Sequence, residues 1–210
     1  LAADIRDTMQ GVTVRLIEAD FDKAQRASEN LSGVEVVHGD GLSREILEEA
    51  QVGKTEAVIA GGFGHREVAI RVNGLDTPWG REDLKAAAAA KPDAILVPKI
   101  SSAAMIQEIE GLLEKAGVAS HTRLWAMLET PLGILRALEI AGSSKRLAVL
   151  VMGTNDIAKE LHAAHVPGRV PMLYSLSTCL LAARAHGLVI VDGVYNDIKN
   201  AEGFEAECVQ

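Results

Sequence analysis

The stretch AVIAGGFGHREVAIRVNG, residues 57–74, decides how the rest of the chain is interpreted. Two short apolar runs that are typical of β-strands meet there across a Gly-Gly-Phe-Gly patch. The sequence differs in character on the two sides of this patch. Either one protein continues through the patch, or two proteins meet at it.

Strand and helix patterns alternate on both sides, which predicts an α/β fold with a largely parallel sheet. Helices are predicted at 1–11 and at 43–52, where Ser43 is the expected N-cap. Further predicted helices include FDKAQRASENL, GREDLKAAAAA and PLGILRALEIAG. Three strands are predicted before the glycines and five after them: VTVRLIEAD, VEVVHGD and EAVIA, then EVAIRVNG, DAILVPKI, RLWAMLET, LAVLVMGTND and LVIVDGVY. Eight strands close a β/α barrel. A three-strand layer beside an incomplete barrel gives the same total, so both architectures stay open.

Composition and charge narrow the class of protein. The 210 residues are 48% hydrophobic and 24% charged, with a net charge of −8, and no Lys/Arg-rich block is present. These values argue against nucleic acid or an anionic membrane as a partner. No apolar run reaches the roughly 18 residues of a membrane span, and Cys179 and Cys208 are expected to be reduced thiols. We therefore expect a cytoplasmic protein with a small-molecule or protein partner.

Polar residues end several of the predicted strands in the second part of the chain. They are Arg71, Asn73, Lys99, Glu129, Asn155, Asp156 and Asp192. In parallel α/β folds the carboxyl ends of the strands form the ligand-binding face. This repeated pattern predicts a binding site at that face.

Two of these residues, Glu129 and Asp156, are carboxylates that end consecutive predicted strands. They can share a hard divalent cation that keeps several waters and takes its other ligands from the substrate. Equally, they can cap helices or pair with Arg71 and Lys99. Arg71 can grip a substrate carboxylate with two hydrogen bonds, or it can form a salt bridge at the barrel mouth.

The ordered motifs RVNGLDTPWG, PDAILVPKI, LWAMLETP, LVMGTNDIAKEL and DGVYNDI resemble those of the citrate lyase β-subunit-like family, which includes malyl-CoA and citramalyl-CoA lyases. The resemblance covers residues 61–210. It implies a β/α barrel that binds Mg²⁺ and a CoA thioester, and that makes or breaks a carbon–carbon bond through an enolate. It also implies that Glu129 and Asp156 are the magnesium ligands, and that Arg71 holds the carboxylate or developing oxyanion of the substrate.

Residues 1–60 resemble a different family, the nucleotide-binding Rossmann domain of potassium-uptake regulatory (RCK) proteins. The motifs are VTVRLIEAD, VEVVHGDG, LEEAQV and EAVIA. The resemblance implies that Glu18, at the end of its strand, meets the ribose of a bound nucleotide. No G-x-G-x-x-G turn accompanies these motifs, and that turn brings the backbone and a helix N-terminus to the phosphates. Binding of NAD is therefore not expected.

Together the resemblances predict that two proteins meet at Gly61 and Gly62. We expect a segment 1–60 of Rossmann origin and a barrel segment 61–210, joined in one integrated domain. The expected fold is (β/α)8-barrel-like with three N-terminal strands of Rossmann origin. The alternative is a small Rossmann-like layer beside an incomplete barrel.

Three functions are compatible with these expectations. The first is an engineered or rearranged chimeric scaffold without efficient catalysis, which retains part of a Mg²⁺ and carboxylate site. The second is an active Mg²⁺-dependent lyase of the malyl-CoA or citramalyl-CoA type. The third is a nucleotide-binding regulatory module. Association into a homo-oligomer is compatible with each, because an unpaired sheet edge invites pairing.

Overall fold

A computed structural model of the chain describes residues 14–18, 20–39 and 67–209. The chain divides into two compact units, Leu1–Ile59 and Ala60–Gln210. We describe each unit by itself. The predicted helices at 1–11 and 43–52, with Ser43 as N-cap, and the predicted strand at 56–60 lie outside the described residues.

The first unit contains a parallel β-α-β arrangement. Strand β1 (Val14–Glu18), helix α1 (Phe21–Asn30) and strand β2 (Val34–His38) follow one another. The two strands pair in parallel, with Glu18 opposite His38. Helix α1 begins where predicted because the Asp20 carboxylate accepts a hydrogen bond from the backbone N–H of Lys23 at 3.0 Å, which satisfies one free donor of the first turn.

The second unit continues the alternation of strands and helices. Its strands are β3 (Ala69–Arg71), β4 (Ala94–Val97), β5 (Arg123–Leu128), β6 (Leu147–Met152) and β7 (Val189–Val191). Its helices are α2 (Gly80–Ala90), α3 (Ala103–Lys115), α4 (Pro131–Leu135), α5 (Ala137–Ala141), α6 (Thr154–Glu160), α7 (Leu173–Ala185) and α8 (Ala201–Val209). A 3₁₀ segment (Pro167–Met172) precedes α7.

The five strands of this unit form one sheet in the order β3-β4-β5-β6-β7. Every neighbouring pair is parallel. All five carboxyl ends therefore lie at the same edge of the sheet. This places the residues that follow the strands close to one another.

The two faces of the sheet bury different parts of β5. Leu124, Ala126 and Leu128 are completely buried, and alternate residues of a strand point to one face. Met127, on the opposite face, packs with Val149 and other apolar side chains of the neighbouring strands. Burial on both faces explains the nearly continuous apolar runs of the central strands.

Two local expectations were wrong. The predicted helix PLGILRALEIAG is two short helices, α4 and α5, because the backbone of Arg136 leaves the helical region (φ −105°, ψ 13°). The predicted strand LAVLVMGTND ends at Met152, and the residues after Gly153 begin α6. Asp156 thus lies in the first turn of a helix and not on a strand.

The α/β class with parallel sheets is confirmed. In the part of the chain that the structure describes, no helix is long and apolar enough to cross a membrane. Cys179 and Cys208 are both free thiols. Cys179 is buried in α7.

Candidate active site

Glu129 is the buried charged group around which the candidate site is built. It directly follows β5 and is only 3% exposed. The next residue, Thr130, caps α4 by accepting a hydrogen bond from the backbone N–H of Gly133 at 3.1 Å. The strand and the capped helix therefore fix the backbone on both sides of Glu129. Its carboxylate is held at the carboxyl edge of the sheet.

The loop after β4 holds one oxygen of this carboxylate. The backbone N–H of Lys99 donates a 2.9 Å hydrogen bond to Oε1 of Glu129. Lys99 adopts a left-handed backbone conformation (φ 55°), which is costly for a residue other than glycine. Strained conformations of this kind concentrate at functional sites.

Gly153, which follows β6, makes room for the same carboxylate. A Cβ atom at position 153 would overlap Cβ of Glu129 and would lie 2.5 Å from its Oε2. The φ of Gly153 is −88°, so the need for glycine here is one of space and not of backbone conformation. Glu129 is thus enclosed by the ends of β4 and β6.

Burial raises the pKa of Glu129. The nearby Asp156 carboxylate raises the pKa further, whereas the Lys99 N–H and the Arg71 guanidinium act against the shift. Desolvation and a like charge both disfavour the ionised carboxylate. Two acidic groups placed close together, one of them buried, are typical of a site that binds a cation or transfers a proton.

The structure therefore brings together the three residues Arg71, Glu129 and Asp156. Arg71 ends β3 with an exposed side chain, and it interacts electrostatically with Glu129. Asp156 lies in the first turn of α6. One residue ends β3, one directly follows β5 and one lies in the helical turn after β6, so all three lie at the carboxyl edge of one sheet, which is the ligand face of parallel α/β folds.

The other polar residues at strand ends bind to neighbouring parts of the fold. Asn73 donates to Asp83 at 2.8 Å. Asp192 forms an ion pair with Arg169 at 2.6 Å. Asn155 bonds to Asn196. The strand-end pattern in the sequence thus mixed residues that support the fold with residues that face the site.

The donor set suits Mg²⁺. Among the described residues, no group of three or more His, Cys, Asp or Glu side chains is placed to hold a metal ion. A pair of carboxylates is what Mg²⁺ takes from a protein when substrate and water supply the remaining oxygens. The closeness of Asp156 to the buried Glu129 also leaves a local excess of negative charge that a cation would neutralise. The residues present fit the ion.

Glu18, in the first unit, ends β1 as expected. Its Oε1 accepts a hydrogen bond from the backbone N–H of Asp20 at 3.0 Å. The carboxylate thereby supports the turn into α1. Its role as a ribose-binding residue stays a prediction.

Sequence reasoning missed two contributions to the site. The Lys99 residue was noted for its ammonium group, but its backbone N–H makes the contact with Glu129. The need for glycine at position 153 was also missed. A glycine directly after an apolar strand was the available signal, since glycine there often permits the close approach of another group.

A parallel sheet with one carboxylate directly after β5 and a second in the helical turn that follows β6 defines an α/β protein with an acidic site at the carboxyl edge of its sheet. The profile of the HpcH/HpaI aldolase/citrate lyase family matches residues 49–210. The chain belongs to this family. The TrkA-N domain profile matches residues 1–72. Both predicted resemblances are confirmed, and the two matches share residues 49–72, where the junction was predicted.

The names of two curated relatives describe activities on malyl-CoA and citrate. A (3S)-malyl-CoA thioesterase of Cereibacter sphaeroides is 49% identical over 201 residues, which is 96% of this chain and 62% of the relative. An alignment of that length necessarily crosses Gly61 and Gly62. The citrate lyase subunit beta of Escherichia coli (strain K12) is 37% identical over 146 residues, 67% of this chain and 48% of the relative. The chain spans 50% to 62% of the length of the first curated relatives it matches.

Solved structures share the fold. RipC from Yersinia pestis has a TM-score of 0.60 and 26% identity, and the match covers 93% of this chain and 82% of that one. The citrate lyase beta subunit from M. tuberculosis, complexed with oxaloacetate and magnesium, has a TM-score of 0.59 and 24% identity over 93% of this chain and 84% of its own.

Proposed function

We propose that this chain acts on the CoA thioester of a hydroxydicarboxylic acid, with Mg²⁺, at the site formed by Arg71, Glu129 and Asp156. The observation that carries the proposal is the Glu129 carboxylate, which is 3% exposed, held by the Lys99 N–H and close to a second carboxylate. A buried carboxyl group with a second carboxyl group close by is typical of a functional site, because its burial in that position does not stabilise the fold. The malyl-CoA thioesterase relatives support the substrate class.

Each residue has a distinct role in this proposal. Glu129 and Asp156 would hold the ion, and Lys99 would keep the Glu129 carboxylate oriented through its backbone N–H. The ion, when bound, supplies a Lewis acid that polarises a substrate oxygen and neutralises developing negative charge. Arg71 presents a planar pair of donors that matches a substrate carboxylate.

Two reactions of malyl-CoA are compatible with this arrangement. In carbon–carbon cleavage, the bond between the carbinol carbon and the CH₂ group beside the thioester breaks, its electron pair moves to the thioester enolate, and the hydroxyl loses its proton. Protonation of the enolate carbon then gives acetyl-CoA, and the other product is glyoxylate. In hydrolysis, water adds to the thioester carbonyl and the C–S bond breaks, which gives malate and free CoA.

The test is to incubate the 210-residue protein with (3S)-malyl-CoA and Mg²⁺ and to measure both glyoxylate and free thiol. Glyoxylate alone indicates carbon–carbon cleavage, and free thiol alone indicates hydrolysis. We expect Glu129→Gln and Arg71→Lys to lower either rate by about 10²–10³-fold, as for the loss of one group that stabilises transition-state charge. If neither product forms and no CoA thioester binds, the proposal is wrong.

That negative outcome would support the competing proposal, a rearranged or engineered chimeric scaffold without efficient catalysis. The observation that favours it is that two different family profiles match one chain and overlap over residues 49–72. Activity that depends on Glu129 would exclude it. In this competing case the acidic site persists as a remnant of a CoA-ester lyase.

A nucleotide-binding regulatory module is the third candidate, and the TrkA-N match over residues 1–72 favours it. Calorimetry with NAD⁺ or ATP at millimolar concentration tests it. We expect no binding. Binding that Glu18→Gln abolishes would instead support this candidate.

Location and assembly belong to the same proposal. We infer a cytoplasmic location, since the chain carries two free thiols and disulfides form in oxidising compartments. The partners would be small carboxylates or CoA esters, with no nucleic acid and no membrane. Copies of the chain would associate as a homo-oligomer, which sedimentation would detect.

A further inference from the structure

The first turn of α6, which carries Asp156, is packed against the segment that follows β7. We call residues 192–196 the β7 loop. It reaches the start of α6 at two points, Thr154 and Asn155, which immediately precede Asp156 in the chain. These contacts lie beside the candidate site but include none of the groups assigned to substrate or metal.

The first contact is between Gly193 and Thr154. A Cβ atom at position 193 would overlap Oγ1 and Cγ2 of Thr154. Only a glycine lets the loop backbone come this close, and Thr154 is itself buried. The loop thus supports the α6 start by direct packing.

The second contact is a reciprocal pair of amide hydrogen bonds. Asn155 Nδ2 donates to Asn196 Oδ1 at 3.2 Å, and Asn196 Nδ2 donates to Asn155 Oδ1 at 2.9 Å. Two hydrogen bonds between the same pair of amide groups fix the orientation of both side chains. Because Asn155 adjoins Asp156, the pair also restricts the backbone from which the Asp156 carboxylate extends.

The β7 loop is anchored at its beginning by a buried cation. Arg169 is 8% exposed, and its Nη1 donates to Oδ2 of Asp192 at 2.6 Å. The other oxygen of Asp192 accepts from the backbone N–H of Gly193 at 2.7 Å. The loop is therefore held at Asp192 and again at Asn196, and Gly193 lies between these fixed points.

We propose that Asn155 and Asn196 are positioning residues that set the placement of Asp156 for cation binding. This inference rests on the proposed function, because it takes Asp156 as a ligand of the ion. Groups that hydrogen-bond directly to a metal ligand commonly contribute 10–100-fold to metal affinity. The Asn155–Asn196 pair is exposed and acts on Asp156 through the backbone, so we expect a change near the lower end of that range.

The experiment measures Mn²⁺ binding to the full 210-residue chain. Mn²⁺ occupies oxygen sites that suit Mg²⁺, and the electron paramagnetic resonance signal of the free ion reports the bound fraction. We expect Asn196→Ala to weaken Mn²⁺ binding about 10-fold. Asn155→Ala should have the same effect, and the double variant should be no worse than either single variant, because all three lack the same pair.

A matched control separates positioning from general stability. Asn200→Ala removes another asparagine of the same region, whose Oδ1 accepts a hydrogen bond from the backbone N–H of Gly203 in α8. We expect this variant to bind Mn²⁺ like the unchanged chain. Thermal unfolding without metal shows whether each variant is folded.

The outcomes are distinguishable. Suppose that the unchanged chain binds Mn²⁺ and that the dissociation constant of Asn196→Ala differs from it by less than twofold. The positioning role is then wrong, and the proposed function stands. An equal loss in Asn200→Ala also overturns the positioning role. If the unchanged chain binds no Mn²⁺, the proposed function fails, and the positioning role fails with it.

Discussion

The backbone N–H of Lys99 and Oε1 of Glu129 form a 2.9 Å hydrogen bond between residues that are 30 positions apart in the chain. The bond joins the loop after β4 to the end of β5. Lys99 makes this bond from a left-handed backbone conformation, φ 55°. The contact therefore depends on the main chain at position 99 and not on the ammonium group.

This relationship predicts that Lys99→Gly is more stable than both the unchanged chain and Lys99→Ala, by about 1 kcal/mol, because only glycine adopts the left-handed conformation without strain. Urea denaturation measures the difference. Mn²⁺ binding should survive in Lys99→Gly, which keeps the N–H. Loss of binding in that variant would assign the contribution to the ammonium group instead.

Replacing Glu129 by Gln should stabilise the metal-free protein at pH 7 while it abolishes cation binding. The Gln oxygen can still accept from the Lys99 N–H, and the buried negative charge disappears. A gain of about 1 kcal/mol would raise the unfolding midpoint by about 2–4 °C. The unfolding midpoints of the two proteins can be measured by calorimetry in the presence of a chelator.

The pH dependence of this difference has a definite sign. Because the pKa of Glu129 is raised above its usual value of 4.5, protonated Glu129 favours folding. That contribution is complete below pH 4.5 and is lost as the pH rises through the raised pKa. The advantage of Glu129→Gln should therefore appear only above pH 4.5. An advantage that is independent of pH would contradict this explanation.

Gly153→Ala should destabilise the second unit by about 1–3 kcal/mol, the usual cost of an extra carbon in a filled space. The added Cβ would press on Glu129. Gly111→Ala is the matched control, since a Cβ at position 111 in α3 meets nothing within 4 Å. We expect the free energy of unfolding of that control to rise by about 1 kcal/mol, because alanine has a higher helix propensity than glycine. Chemical denaturation of the two variants should show changes of opposite sign.

The two cysteines should react differently with an alkylating reagent at pH 8. Burial raises the pKa of Cys179 to about 12, and the thiolate is the reactive form. Cys208 is exposed. Mass spectrometry should find a single adduct, on Cys208, in the native protein and two adducts after denaturation. Alkylation of Cys179 in the native protein would show that α7 opens.

Much of the fold was predictable from local sequence. GREDLKAAAAA became α2 with the predicted bounds, because an acidic first turn and an alanine run leave few alternatives. The β6 boundary was harder to place, since LAVLVMGTND is apolar up to the glycine and polar after it. Directly after the strand, Gly153 lies against Glu129, which follows β5, and this contact between residues distant in the chain is not visible in the local sequence.

The candidate site was predictable in part for the same reason. The sequence pattern picked out Arg71, Glu129 and Asp156 by their positions after strands. It could not separate them from Asn73 and Asp192, which follow strands too but bond to Asp83 and Arg169. Only the packing of helices and loops decides which polar groups have partners.

The order of the second sheet has a consequence for how the protein forms during synthesis. Spatial order matches chain order from β3 to β7, so each strand pairs with the one that left the ribosome before it. Translation adds about 5–20 residues per second, and no strand of this sheet has to wait for a distant partner. At any moment, one newly formed strand exposes the growing edge of unpaired backbone N–H and C=O groups. The next strand to emerge covers it.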